Sequence, residues 1–355
     1  MKIYRNSFKG IMIAAFSMLA LSACSDWTET ESIDLGQPDI TNQNPELYAK
    51  YLQNLREYKK SDHTLVYVWF DNSQKVPFNR SHHITDLPDS IDVVSMIHPD
   101  NLTDWELKEI NQVRSEKAMK VVYTIDFESI KAAYNAKLEL ATEEEPVAEE
   151  FLDFLTDSLE YSLSLVKKYN YDGICIGYAG KARIHMRPAE LKEYTENETA
   201  FINIMNDWHK RNSEKIITYE GKPQNLINPA LLNDCMSILV SGKESTNEND
   251  LTYKMLLANV ENIPHDRFGM TVMATDLNDP NKKIGYFADG SLAMAGLANW
   301  APSPHGGVTV KAVGIYNVST DYYTSVRNYS YTRQLISSVN PVSYTHLRAH
   351  ETRHD

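Results

Sequence analysis

From Thr64 onward, hydrophobic and polar positions repeat in one order: a short β-branched or aromatic run, a polar loop, then a stretch of helical period. Eight runs read as strands: Leu65 to Phe70, Asp92 to Met96, Lys120 to Ile125, Gly173 to Ile176, Lys215 to Tyr219, Met236 to Val240, Phe268 to Met273 and Val313 to Tyr316. Several are almost continuously apolar, as expected of parallel strands covered on both faces. The clearest helix is predicted from about Val147 to Tyr169, where Phe151, Phe154, Leu155, Leu159, Leu163 and Val166 recur at helical spacing. Others are predicted after Leu102, Thr199, Leu251 and Tyr329. Eight such units between Thr64 and Pro341 match an α/β chain folded as a (β/α)8 TIM barrel, which takes about 250 residues. An open doubly wound sheet is the alternative, but no Gly-x-Gly-x-x-Gly or phosphate-loop pattern favours it. Lys131 to Pro146 interrupts the alternation and reads as a helical or loose insertion ending in the solvated acids Glu143-Glu144-Glu145.

Both ends depart from this pattern. Residues 1–24 combine Lys2, Arg5 and Lys9, an apolar run from Ile11 to Leu21, and Leu21-Ser22-Ala23-Cys24. That is the layout of a secretory leader, and its last four residues resemble the bacterial lipobox, in which the cysteine is lipidated. Cys24 is therefore expected to anchor the chain to a membrane. Residues 25–45 are polar and acidic, without a hydrophobic period, and read as a flexible tether. Acids so close to the lipidated cysteine resemble the signal that sends some lipoproteins of Gram-negative bacteria to the outer cell surface. The barrel itself is assigned to residues 46–341. Residues 342–355, beginning Val342-Ser343-Tyr344-Thr345-His346, resemble the in-frame translation of a sequencing adapter and are set aside.

The chain has 355 residues, 48 of them acidic and 35 basic, for a net charge of −13. Acidity without clustered Lys and Arg argues against a nucleic-acid partner, which needs basic groups for its phosphates. Apart from Cys24 the cysteines are Cys175 and Cys235, too few for a disulfide framework. Neither has metal-like spacing, and His82 and His83 sit in a loop without it, so no metal and no cofactor is expected.

The fourth strand carries the strongest signal. Tyr169-Asn170-Tyr171-Asp172-Gly173-Ile174-Cys175-Ile176-Gly177-Tyr178-Ala179 resembles the signature of glycoside hydrolase family 18, Asp-Gly-x-Asp-x-Asp-x-Glu. Leu87-Pro88-Asp89-Ser90-Ile91-Asp92-Val93-Val94-Ser95 resembles the approach to strand two in a surface-lipoprotein branch related to endo-β-N-acetylglucosaminidases. The resemblance implies a (β/α)8 barrel acting on N-acetylglucosamine-containing glycan. In that signature the final Glu is the general acid, and the Asp two residues earlier orients the N-acetyl group that serves as nucleophile. This chain keeps Asp172 and Gly173 but places Cys175, Gly177 and Ala179 at the three acidic positions, none of which can supply that chemistry. The resemblance also implies a Tyr at the end of strand six, and Met236 to Gly242 contains none.

In such a barrel ligands meet the carboxyl ends of the strands. The residues expected there are Trp69, Asp71, His98, Asp126, Glu128, Tyr178, Glu220, Asp276, Tyr316 and Asn317. Aromatic rings with polar rims suit stacking under a pyranose, although each of these residues has an ordinary structural role open to it. The preferred expectation is a catalytically silent barrel holding glycan at the outer membrane surface, beside proteins of a glycan-uptake complex. The alternatives are an active endo-acting hydrolase with carboxylates relocated to Asp126, Glu128, Glu220 or Asp276, and a non-catalytic protein scaffold.

Overall fold

The computed structural model describes residues 44–142, 147–276, 278–323 and 327–341. Cys24, most of the tether, Glu143 to Pro146 and the tail from Val342 lie outside the described residues. The eight strands are β1 (Leu65–Phe70), β2 (Val93–Met96), β3 (Lys120–Asp126), β4 (Gly173–Tyr178), β5 (Ile216–Gly221), β6 (Ile238–Ser241), β7 (Phe268–Met273) and β8 (Ala312–Tyr316). They pair in parallel and in sequence order, and β8 closes on β1, so the (β/α)8 barrel expected from the strand pattern is the observed fold.

Alternation along each strand sorts side chains into two layers. Tyr67, Trp69, Val93, Val122, Cys175, Leu239 and Ala312 pack together inside the barrel. Their neighbours Val66, Val68, Val94, Val121, Ile174 and Ile176 belong to the much larger layer between strands and helices. Several strands are thus apolar on both sides, which is why they read as nearly unbroken hydrophobic runs.

The helices are α1 (Pro45–Tyr58), α2 (Asp104–Lys117), α3 (Phe127–Glu139), α4 (Phe151–Lys168), α5 (Pro188–Arg211), α6 (Glu248–Ala258), α7 (Ala293–Trp300) and α8 (Ser330–Val339). None among the described residues is long and apolar enough to cross a membrane. α2 starts at a capping box in which Thr103 and Glu106 satisfy each other's backbone amides. α4 lies inside its predicted span and buries Leu155, Leu159, Leu163 and Val166. α5 begins at Pro188, well before Thr199: proline suits the first turn of a helix, and the buried residues of α5 start only at Asn197. α7 was not foreseen: six of its eight residues are buried, so it has no polar stripe to reveal a period. Of the two forms expected for the stretch after β3, helical or loose, the helical one holds as far as Glu139. Asp126 caps α3 by accepting from the Ser129 amide at 2.8 Å, so the helix follows the strand directly.

The amino ends of the strands form a closed foot. Asp92 lies just before β2, and its Oδ2 accepts from the Val66 amide at 2.8 Å; Asp172 lies just before β4 and accepts from the Val121 amide at 2.7 Å. Arg114 clamps that Asp172 oxygen at 2.7 Å. Next to it, a Cβ on Gly173 would fall 1.8 Å from the Ile216 carbonyl oxygen, so β4 and β5 can approach there only with glycine.

Candidate functional site

Parallel register places Thr124, Cys175 and Thr218 on one inner rung of the barrel, and Asp126, Gly177 and Glu220 on the next rung toward the carboxyl ends. Cys175 is 1% exposed. Burial pushes its thiol up to about 12, and the neighbouring Thr218 and Thr124 hydroxyls offset this only in part, so it remains a neutral, inert thiol. Gly177 sits between two carboxylates. A Cβ there would lie 2.7 Å from Asp126 Oδ2 and 2.9 Å from Asp126 Cβ, so the Asp126 side chain leans over the place that a larger residue 177 would fill.

On the other flank Glu220 is 4% exposed. Lys243 Nζ lies 3.4 Å from its Oε2, and the Thr271 hydroxyl donates to its Oε1 at 3.3 Å. The same ammonium lies 4.0 Å above the Tyr316 ring, and Tyr316 stacks on Trp69 with centroids 3.9 Å apart and planes 9° from parallel. Burial, then the Glu220 charge, raises the Tyr316 phenol well above its ordinary value, so it stays a hydrogen-bond donor. Trp69 Nε1 donates to Thr124 Oγ1 at 2.8 Å, which fixes the ring pair from below.

These groups open into a cleft of about 600 Å³. Trp69, Asp126, Glu220, Lys243, Tyr316 and Asn317 line its barrel end, and it continues past Ile130 of α3 and Phe154 of α4. A stacked aromatic wall, an ion pair and a gap between two carboxylates can hold a polar ring. At position 177 there is no side chain to give or take a proton.

Five of the ten residues expected at the mouth therefore meet in one cleft: Trp69, Asp126, Glu220, Tyr316 and Asn317. The other five do not line it. Asp71 and His98 face each other at 3.5 Å on exposed loops. Asp276 turns back to accept from the Asn278 amide. Glu128 faces a separate cavity on the other side of α3. Tyr178 is on the outer face of β4, packed on Phe127 and Phe201, with its hydroxyl donating to Glu198 at 2.6 Å. Parity along the strand requires this: once Cys175 and Gly177 face inward, Tyr178 must face outward. Ala179 lies past the last residue of β4, where its carbonyl accepts from Asn225, and it does not line the cleft.

Lys243 was missed by sequence reasoning. Its one signal is position: it is the first charged residue after β6, at the end where the resemblance implies a tyrosine. Among the described residues no group of three or more His, Cys, Asp or Glu is placed to hold a metal ion.

The closed barrel and the cleft at its carboxyl end define a (β/α)8 barrel protein with a cleft where such barrels place their sites. A family model described as "Glycoside hydrolase family 18, BT1044-like" matches residues 28–338, and the chain belongs to that family. Comparison with curated protein sequences gives no match. Among solved structures, a selenomethionine, Glu-to-Gln variant of BT1044 superposes with a TM-score of 0.59 at 17% identity, covering 85% of this chain and 96% of that one. The endo-β-N-acetylglucosaminidase of Cordyceps militaris gives 0.57 at 15% identity, covering 82% and 95%. A double mutant of that enzyme in complex with fucosyl-N-acetylglucosamine-Asn gives 0.55, also at 15%, covering 82% and 95%. At these identities the superpositions establish the shared fold.

Proposed function

We propose that this protein is a surface-anchored glycan-binding lipoprotein built on a family 18 barrel that no longer hydrolyses its ligand. The reading rests on one observation: the inward position between Asp126 and Glu220 is Gly177, with Asp126 leaning across it. General acid catalysis contributes roughly 10²- to 10⁴-fold in rate, and in the family signature the residues at 177 and 179 carry it together with the assisting carboxylate. The remaining mouth suits binding, since Trp69 and Tyr316 form a rigid aromatic wall and Lys243 and Glu220 supply charged hydrogen-bonding groups beside it. N-acetylglucosamine-containing glycan is the expected ligand, consistent with the relatives named for endo-β-N-acetylglucosaminidase activity. The leader ending at Cys24 and the acidic tether support attachment to the outer face of an outer membrane, where proteins of a glycan-uptake complex would be its neighbours.

Calorimetry on protein lacking the first 24 residues is expected to show binding of chitooligosaccharide or N-glycan, with no reducing ends released on long incubation. Absence of binding would overturn the glycan half of the reading, and turnover would overturn the silent half. A second reading has its own observation: Asp126 and Glu220 face one cleft from strands two apart, a spacing of about 10 Å between strand axes, close to the wider carboxylate separation of inverting glycosidases. Against it, Asp126 Oδ1 already accepts from the Ser129 amide and hydroxyl, and Glu220 is paired with Lys243. Turnover abolished by Glu220→Gln would establish this second reading.

A further inference from the structure

The first two turns of α3 stand between two cavities. On one side Ser129, Ile130 and Ala133 wall the mouth cleft. On the other, Glu128 and Lys131 face a separate cavity of about 400 Å³, closed across by Lys181 and by Glu190, Glu193 and Asn197. That volume falls within the roughly 300–1,000 Å³ of small-molecule pockets.

Asn197 is 5% exposed and lines this cavity, yet its carboxamide has no hydrogen-bond partner among the described residues. Its amide atoms are not themselves fully buried: they open into the cavity, where they are available to a ligand. The charges around it are also unengaged. Among the described residues none of Glu128, Lys131, Lys181, Glu190 and Glu193 is in an ion pair, whereas Lys192 and Glu196 on the same α5 do pair, at 3.8 Å. Lys131 rests over the Phe151 ring at 5.7 Å, which leaves its N–H donors open.

Two ammonium groups and three carboxylates around the carboxamides of Asn135 and Asn197 complement a molecule that carries both charges and a hydrogen-bonding group. A neutral sugar would leave both signs unanswered, and a simple anion or cation would leave one. We propose that this second cavity binds the zwitterionic head of an α-amino acid, its carboxylate toward Lys131 and Lys181, its ammonium toward Glu128, Glu190 and Glu193, and a polar group on Asn197. The zwitterion has two sources: a free amino acid, or the amino-acid end of a glycosylated residue whose sugar crosses the start of α3 into the mouth cleft. The second source rests on the glycan reading of the mouth, but the cavity itself does not.

The test is calorimetry on the protein lacking its first 24 residues, with L-asparagine, N-acetyl-L-asparagine, asparagine α-amide and N-acetylglucosaminyl-asparagine as probes. Asparagine is expected to bind with a dissociation constant of roughly millimolar order, and removal of either charge to weaken it at least tenfold. Asn197→Leu should do the same. So should Lys131→Ala with Lys181→Ala, which changes only partly exposed or exposed side chains and keeps the proposal testable if the Asn197 variant fails to fold. All these variants should hold chitooligosaccharide like the parent. Glycosyl-asparagine binding at least tenfold tighter than asparagine assigns the glycosylated source, and equal affinities assign the free one. No asparagine binding, or binding indifferent to Lys131 and Lys181, overturns the proposal. Asparagine binding without chitooligosaccharide binding would uphold this site and overturn the mouth reading instead.

Discussion

The two ends of the barrel use carboxylates in opposite ways. At the foot, three acids are tied down: Asp92 and Asp172 accept strand amides, and Asp89 sits between Lys117 at 2.6 Å and the Tyr51 hydroxyl at 2.7 Å. At the mouth, Asp126 and Glu220 flank a gap and border a cleft. The family signature runs across both ends along one strand. Its surviving residues, Asp172 and Gly173, are the ones that hold β4 against β3 and β5; of its lost residues, Gly177 lies on the rung of Asp126 and Glu220, which border the cleft. The residues that tie the strands together and those that border the cleft thus lie on different rungs of the barrel.

Foot and mouth variants should therefore separate in kind. The largest effect is expected for Asp89→Ala, which leaves the nearly buried Lys117 ammonium with the Thr85 carbonyl as its remaining acceptor. A loss of about 3–5 kcal/mol in urea unfolding is expected. Burial alone would raise the Asp89 carboxyl, but the Lys117 charge and the hydrogen bonds to Lys117 and Tyr51 hold it below its ordinary value of 3.8. Its contribution is then present above that value and is lost as pH falls through the folded one. Gly173→Ala follows, at about 3 kcal/mol, because the clash is with backbone that cannot yield. Gly177→Ala should cost less, about 1–2 kcal/mol, since Asp126 Oδ2 can turn aside although Asp126 Cβ and Cα, at 2.9 and 3.0 Å, must shift slightly. Equal losses for the two glycines would erase the distinction between the rungs.

Glu220→Gln should leave stability within about 1 kcal/mol, because Lys243 keeps access to water. Chitooligosaccharide affinity should fall about tenfold, equivalent to about 1.4 kcal/mol. Loss of folding without loss of binding would make Glu220 a foot-like residue. At the foot, burial lowers the proton affinity of His63, but the hydrogen bond and charge of Asp92 outweigh it, so the folded pKa lies above 6.5. That stabilisation is complete below pH 6.5 and is lost as pH rises through the folded value. His63→Gln should remove it, a change under about 1 kcal/mol; pH profiles of variant and parent that run parallel would refute the assignment. The smallest effect is expected for Gly177→Asp combined with Ala179→Glu. No reducing ends should appear, because Asp126 occupies the space that residue 177 needs and position 179 lies outside the cleft.

Much of the barrel was legible because strand periodicity is local. Eight apolar runs, their order and the long α4 stripe each lie within a few consecutive residues, and the parity of β4 already implied that Cys175 and Gly177 share a face. The same parity should have excluded Tyr178 from the mouth, and its aromatic character hid that. α7 gave no signal because a helix buried all round has no polar side.

The site was legible only in part. Asp126 reads equally as cap and as cleft residue, and it is both. Nothing in sequence spacing joins Glu220 to Lys243 or lays Tyr316 on Trp69. Local pattern determined the strands, their faces and the missing acids of β4, since each depends on neighbours along the chain. The tertiary structure alone decided which carboxylates flank Gly177, how Lys243 is paired and what stands on either side of α3, because closure of the barrel sets register between strands far apart in the chain.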